Sequence, residues 1–243
     1  MMPIQEARRC EIAAGLDRVR ARIELACHDS GRDPGEVTLV VITKYFPSED
    51  VLALYELGVR DVGENKDQEA GPKIETVRER LRESGSAPDL RLHFVGQLQS
   101  NKAAHVAAYA DVVHSVDRGK LVTALGRGAE AHQRDLDVLL QVSLDGEAGR
   151  GGARPVEVAE LAAQVAAQPR LRLRGLMAVA PLGDDPDESF ARLWEVARGI
   201  RSDHPDATWI SAGMSGDLEA AIRHGATHLR VGTAILGSRP SLL

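Results

Sequence analysis

Short apolar runs alternate with longer amphipathic stretches along almost the whole chain, and this alternation limits the fold more than any other feature. Runs with strand character fall at 37–43, 59–63, 92–96, 112–116, 138–144, 175–179, 208–212 and 229–231. Helical patterns lie between them at 48–57, 66–82, 101–108, 119–131, 155–167, 188–201 and 218–224, and helix-starting residues such as Pro155 and Ser215 introduce several of them. A stretch from Ile4 to about Cys27, with Ile12, Leu16, Val19, Ile23 and Ala26 at helical spacing, precedes the first strand. Strict βα alternation implies parallel strands, and eight such units closing on themselves give a (β/α)8 TIM barrel, here with an extra N-terminal helix. A doubly wound open sheet is the alternative. The chain has 243 residues, 43% of them hydrophobic, which suits one barrel of this kind. No repeat or linker divides it, so residues 1–243 read as one domain, with the glycine-rich stretch 146–152 as a mobile βα loop.

Composition narrows the function. Thirty Lys and Arg against 36 Asp and Glu give a net charge of −6, which argues against a general attraction to nucleic acid or anionic membrane. No apolar run approaches the length of a membrane helix, and the amino terminus lacks the apolar core of a signal peptide. The two cysteines, Cys10 and Cys27, share one helical stretch and show no metal or disulfide spacing, so a reducing, cytoplasmic compartment is expected. The eight histidines include no HExxH or paired-ligand pattern; His93 suits a hydrogen-bonded core position better than a metal site.

In a barrel, function concentrates at the carboxyl ends of the strands. The first strand ends on Lys44, followed by an irregular Tyr-Phe-Pro-Ser. Burial there lowers an amine's pKa and supplies a neutral nucleophile for Schiff-base chemistry, although a lysine snorkelling to solvent fits the same position. The second strand ends in Gly63-Glu64-Asn65 and the third in His93-Phe94-Val95-Gly96-Gln97, with Asn101 and Lys102 beyond it as a further anion contact or simple helix-start residues. After strands seven and eight, Ser215, Gly216, Gly232 and Thr233 resemble a phosphate cradle, since small residues there let backbone N–H groups approach an anion; ordinary caps and turns are the plainer reading. Arg230, between Leu229 and Val231, points into the barrel if those neighbours pack against helices. A structural salt bridge and a ligand contact are equally open for it. Beside a pyridine nitrogen, an arginine keeps that nitrogen unprotonated, because its own proton is not given up.

Six ordered segments, Val-Ile-Thr-Lys44, Gly63-Glu64-Asn65, 93–102, 174–178, 213–217 and 230–237, resemble the pyridoxal phosphate homeostasis proteins, the YggS/PROSC family. The resemblance implies a barrel like the amino-terminal domain of alanine racemase that binds pyridoxal 5′-phosphate (PLP). It further implies that Lys44 holds PLP as a Schiff base, that Asn65 lies beside it and that Arg230 faces the pyridine nitrogen. Ser215, Gly232 and Thr233 would hold the phosphate, and Met214 and Ser211 would line the pocket. Thr43 and Ala212 stand where many relatives have Ser and Met.

A PLP racemase needs a second base, which in alanine racemase is a tyrosine from another domain. Of Tyr45, Tyr55 and Tyr109, only Tyr45 falls near the strand-end lysine. With an arginine at the ring nitrogen weakening the electron sink, the expectation is a PLP carrier in vitamin B6 and amino-acid homeostasis with little or no turnover. The expected carrier is a monomer, with PLP-dependent apoenzymes as recipients. A PLP-dependent racemase or decarboxylase is the alternative, and a cofactor-free Schiff-base aldolase is disfavoured by the lysine's place on the first strand.

Overall fold

The structure, a computed structural model, describes residues 6–85, 89–145 and 151–238. Eight parallel strands close in sequence order: β1 (Thr38–Ile42), β2 (Asp61–Glu64), β3 (Arg91–Phe94), β4 (Val112–Val116), β5 (Leu136–Gln141), β6 (Leu171–Met177), β7 (Trp209–Ser211) and β8 (His228–Val231). β8 pairs with β1, matching Val40 to Arg230 and Val41 to Val231, so the sheet is a closed barrel and not an open doubly wound one. Around it lie α1 (Glu6–Asp29), α2 (Ser48–Glu56), α3 (Asp67–Glu83), α4 (Ala103–Tyr109), α5 (Gly119–Ala131), α6 (Val158–Ala166), α7 (Pro186–Ile200), α8 (Leu218–Arg223) and α9 (Thr233–Leu236). The start of the N-terminal helix at Ile4 and most of the glycine-rich stretch, 146–150, lie outside the described residues.

The period of two along each strand sorts side chains into two layers. Val41, Val62, Val113, Val138, Ile210, Leu229 and Val231 face outward and join one continuous core with the helices. The inward layer is unusual. Val112, Leu139 and Met177 pack against Trp209, but the buried set also includes Asp61, His93, His114, Ser211, His228 and Arg230.

Most element boundaries move by one to three residues from the sequence expectation, and three differences stand out. β6 begins at Leu171 rather than 175, because Leu171-Arg172-Leu173-Arg174 alternates and both arginines bond Asp137, at 2.9 and 3.0 Å. β5 runs from Leu136 and ends at Gln141, three residues before the expected end. The sequence pattern also missed α9, a four-residue helix whose backbone seats α1: a Cβ on Gly15 would lie 2.4 Å from the Ile235 carbonyl oxygen.

That contact makes Gly15 a packing requirement, whereas exposed Gly199 near the end of α7 has open space around it. Gly15→Ala is expected to cost about 1–3 kcal/mol and lower the thermal midpoint by about 3–10 °C, while Gly199→Ala raises it by about 1–2 °C. Calorimetry of the two variants beside the parent checks both signs.

Candidate functional site

The end of β1 is clamped from outside so that its inward side stays available. Thr43 faces the helices, fully buried; its N–H donates to the Gly63 carbonyl at 2.9 Å and its hydroxyl to Glu64 Oε1 at 2.7 Å. Lys73 Nζ, from α3, donates to the same Glu64 oxygen at 2.7 Å and to the Thr43 carbonyl at 3.0 Å. With Thr43 fixed outward, alternation sends the next residue, Lys44, to the barrel side. Lys44 is half-buried, its amine 5.9 Å from the Tyr45 ring centre and in contact with no carboxylate among the described residues. Tyr45 has a φ of 70°, a left-handed conformation costing a non-glycine residue about 1–3 kcal/mol, held by a turn in which Phe46 N–H donates to Thr43 O.

Asn65 stands beside Lys44, one strand over. Its backbone is pressed by the loop after β3: a Cβ on Gly96 would lie 2.1 Å from the Asn65 carbonyl oxygen. The Asn65 Oδ1 atom is buried and has no hydrogen-bond partner among the described residues. A buried polar atom left unpaired is costly.

Arg230 points into the barrel, as its apolar neighbours require, and is 6% exposed. It donates to Ser211 Oγ at 2.5 Å and to the Ala178 carbonyl at 2.8 Å. Among the described residues no carboxylate pairs with it, so the salt-bridge reading does not hold. Burial pushes its pKa down to about 10, against the opposing charge of Asp217, and it remains a cation at neutral pH. Ser211 is fully buried beneath it.

The expected anion cradle occupies the neighbouring strand ends. Ser215 and Gly216 do not open the helix; they form a turn ahead of α8, held by Met214 N–H donating to Asp217 Oδ1 at 2.6 Å. Arg22 of α1 fastens the turn from outside, donating to the Ser215 carbonyl at 3.0 Å while its Nε and the second amino nitrogen grip Glu219. Gly232 precedes α9 and lies against β1, where a Cβ would come within 3.0 Å of the Ile42 carbonyl oxygen. Thr233 and Met214 are exposed at the same mouth. Lys44, Asn65, Ser211, Met214, Ser215, Arg230, Gly232 and Thr233 thus gather at the carboxyl ends of β1, β2, β7 and β8, which are consecutive around the barrel. Thr43 and Ala212, the two departures from the family pattern, both face the helix layer and leave the pocket unaltered. Lys102 lies 3.8 Å from Asp67 and belongs to the 3-10 turn before α4, the helix-start alternative. No cluster suited to a metal ion exists among the described residues.

Sequence reasoning missed the polar residues beneath the site. His93 is the buried, hydrogen-bonded histidine expected, but its partners are His114 and Asp61, each at 2.8 Å. The signal was present in the inward phase of His93 and His114 on β3 and β4.

The model of the alanine racemase N-terminal domain family matches residues 17–240, which sets the class of protein that this barrel and strand-end lysine define. A pyridoxal phosphate homeostasis protein of Mycobacterium tuberculosis is 44% identical over 243 residues, covering 96% of this chain and 94% of its own. One from Escherichia coli is 40% identical, covering 94% and 97%. PipY of Synechococcus elongatus, solved with PLP bound, superposes with a TM-score of 0.78 at 32% identity, over 93% of this chain and all of that one. Alanine racemase of Corynebacterium glutamicum shares the fold, with a TM-score of 0.65 at 16% identity. The chain belongs to the pyridoxal phosphate homeostasis protein family.

The interior histidines make stability depend on pH. Burial pushes His228 down to about 3 and His114 well below the ordinary histidine value, so both are neutral in the fold. For Asp61, burial acts upward, but the hydrogen bond from His93 and the charge of Arg91 hold the carboxyl below its usual range. The unfolded chain takes up protons on histidine near pH 6.5, whereas the folded one does not; this stability is therefore complete above about pH 6.5 and declines as pH falls toward 3, with Asp61 adding to the loss below about pH 4. Urea unfolding between pH 7 and 4 is expected to show His228→Gln with a slope shallower by about 1.4 kcal/mol per pH unit than the parent. Parallel slopes would contradict the buried neutral His228.

Proposed function

We propose that residues 1–243 act as one PLP-binding unit that holds the cofactor covalently on Lys44 and serves intracellular PLP, vitamin B6 and amino-acid homeostasis with little or no catalytic turnover. The observation that carries this reading is that a strand-end lysine and a buried arginine, neither paired with a carboxylate among the described residues, share one barrel mouth with an Asn65 oxygen that has no partner among them, in a chain of this family. PLP, when bound, supplies an aldehyde that condenses with a primary amine, a phosphate dianion and a pyridine ring. The residues present fit each part. Lys44 offers the amine from the interior side of β1. Ser215, Gly232 and Thr233 surround the position for the phosphate, and Gly232 has no side chain to obstruct it. Arg230, donor-only and fixed at two points, would face the ring nitrogen and leave it without a proton. Asn65 Oδ1 lies alongside, Ser211 supports Arg230, and Met214 covers the mouth.

The same groups favour storage over chemistry. A ring nitrogen held unprotonated is a poor electron sink. Of the tyrosines, Tyr55 donates to Asp89 at 2.8 Å and Tyr109 to Asp67 at 3.1 Å, both away from Lys44, whereas Tyr45 follows Lys44 directly in the chain. PLP-dependent apoenzymes are the intended recipients, and the protein acts in the cytoplasm as a monomer. No helix among the described residues is long and apolar enough to cross a membrane, and the exposed large hydrophobic residues Leu25, Val156, Val179, Leu182, Trp194 and Met214 are distributed over α1, α7 and the loops.

Titration with PLP, followed by absorbance and borohydride reduction, tests the assignment. A visible band that borohydride fixes on Lys44, absent in Lys44→Ala, is expected. A band unchanged in Lys44→Ala sinks the anchor, and steady turnover of an amino acid by the loaded protein would replace the carrier with an enzyme.

A further inference from the structure

A continuous chain of hydrogen bonds crosses the barrel interior below the site. Arg230 on β8 meets Ser211 Oγ at 2.5 Å; Ser211 Oγ meets His114 Nδ1 on β4 at 2.9 Å; His114 Nε2 meets His93 Nδ1 on β3 at 2.8 Å; and His93 Nε2 meets Asp61 Oδ1 on β2 at 2.8 Å. Both imidazoles and the serine are fully buried. Asp61 ends the chain at the opposite mouth of the barrel, where the half-exposed Arg91 also reaches its Oδ1, at 2.7 Å.

The direction of this chain follows from donor and acceptor inventory. Arginine only donates, so Ser211 Oγ accepts from it, and an ionised Asp61 only accepts, so His93 carries its proton on Nε2. With His93 neutral, its bare Nδ1 accepts from His114 Nε2–H, and the bare His114 Nδ1 accepts the Ser211 hydroxyl proton. Every donor in the chain then has an acceptor. With a doubly protonated His93 the order reverses: His114 donates from Nδ1 to Ser211 Oγ, and the serine proton is left in a dry site where its described partners are His114 and Arg230. An orphaned buried donor is strongly disfavoured. The charged and titratable groups facing the two imidazoles are Asp61, Arg91, Arg230 and His228, the last with its ring 6.1 and 6.4 Å from theirs.

We propose that Ser211, His114, His93 and Asp61 are positioning residues that orient Arg230 and deliver to it, through four aligned hydrogen bonds, a counter-charge held at the far end of the barrel. The arrangement leaves Arg230 without a directly paired carboxylate among the described residues, while sparing it the full cost of an unpaired buried charge. The role for the cofactor rests on the PLP reading above; the hydrogen-bond order does not.

The test has two arms. In the protein without PLP, labelled on histidine with nitrogen-15, two-bond proton–nitrogen spectra at pH 7.5 are expected to show His93 and His114 each neutral, with the proton on Nε2. A charged His93, or a proton on either Nδ1, overturns the relay whatever the protein binds, and this arm needs no variant to fold. In the PLP-loaded protein, Ser211→Ala is expected to weaken PLP binding about tenfold, the worth of one hydrogen bond to a charged group; Ser211→Thr, which keeps the hydroxyl, restores most of it. Asp61→Asn removes the distant negative charge, so the pH midpoint of the bound-PLP absorbance falls. Expected tautomers with an unchanged midpoint in Asp61→Asn and unchanged affinity in Ser211→Ala overturn the coupling. Failure of PLP to attach to Lys44 in the parent protein would sink the functional reading and leave the first arm to decide the relay.

Discussion

The pairing of β8 with β1 is the interaction on which the rest depends. Four matched positions, from Thr38 with His228 to Val41 with Val231, join the last strand to the first and abolish both sheet edges. They also set the register of the site. Because Val40 lies opposite Arg230, the chain leaves β1 at Lys44 just where it leaves β8 at Gly232, and the absence of a Cβ at Gly232 lets the two strand ends touch. A slip of either strand by one residue would turn its own residue, Lys44 after β1 or Arg230 on β8, toward the helices. α1 and α9 reinforce the seam from outside through the close contact at Gly15, and Arg8 ties α1 to Asp50 at 2.7 Å and to the Leu236 carbonyl at 3.0 Å.

A barrel interior is normally filled with branched apolar side chains. This one places an arginine, three histidines, a serine and an aspartate there. Such a core is tolerable only when its polar groups are paired, and most are. Among the described residues, the few that are not include Asn65 Oδ1, just past the end of β2, and His228 Nε2, at the start of β8, where the His228 and Trp209 ring centres are 4.3 Å apart. Outside the strands, Glu64 and Lys73 provide a second buried charge pair, which fixes the backbone that carries Lys44. Rigid support on both sides of β1 is what a covalent anchor requires, since a mobile lysine would lose entropy each time the cofactor attached.

The fold was legible in the sequence because parallel strands buried on both faces leave continuous apolar runs, and seven connecting helices kept their 3.6-residue period. What escaped was polar and local. Arg172 and Arg174 hid the first half of β6, since they are satisfied by Asp137 on the adjacent strand and nothing within the segment shows that partner. α9 is too short for any periodic signal, and the turn at Ser215 takes its shape from Asp217 and from Arg22, far away in the chain. That the expected residues gather at one mouth was legible because they end strands in a fixed order. The relay beneath them was not, for a single inward histidine is indistinguishable from a core histidine until strand order shows that β3 and β4 are adjacent and β7 lies across the barrel.

The arginine gives the molecule its character. A buried guanidinium without a carboxylate is an expense that a purely structural residue at that position would not impose. Retaining the charge, and supporting it through neutral hydrogen bonds to a carboxylate at the other mouth, makes sense only if the unpaired face has a use. Toward a pyridine ring, that use is to keep the nitrogen unprotonated, which restrains the same electron withdrawal that PLP enzymes exploit. On the proposed reading, Arg230 is therefore both the group that meets the cofactor's ring and the one that argues for keeping the cofactor quiet.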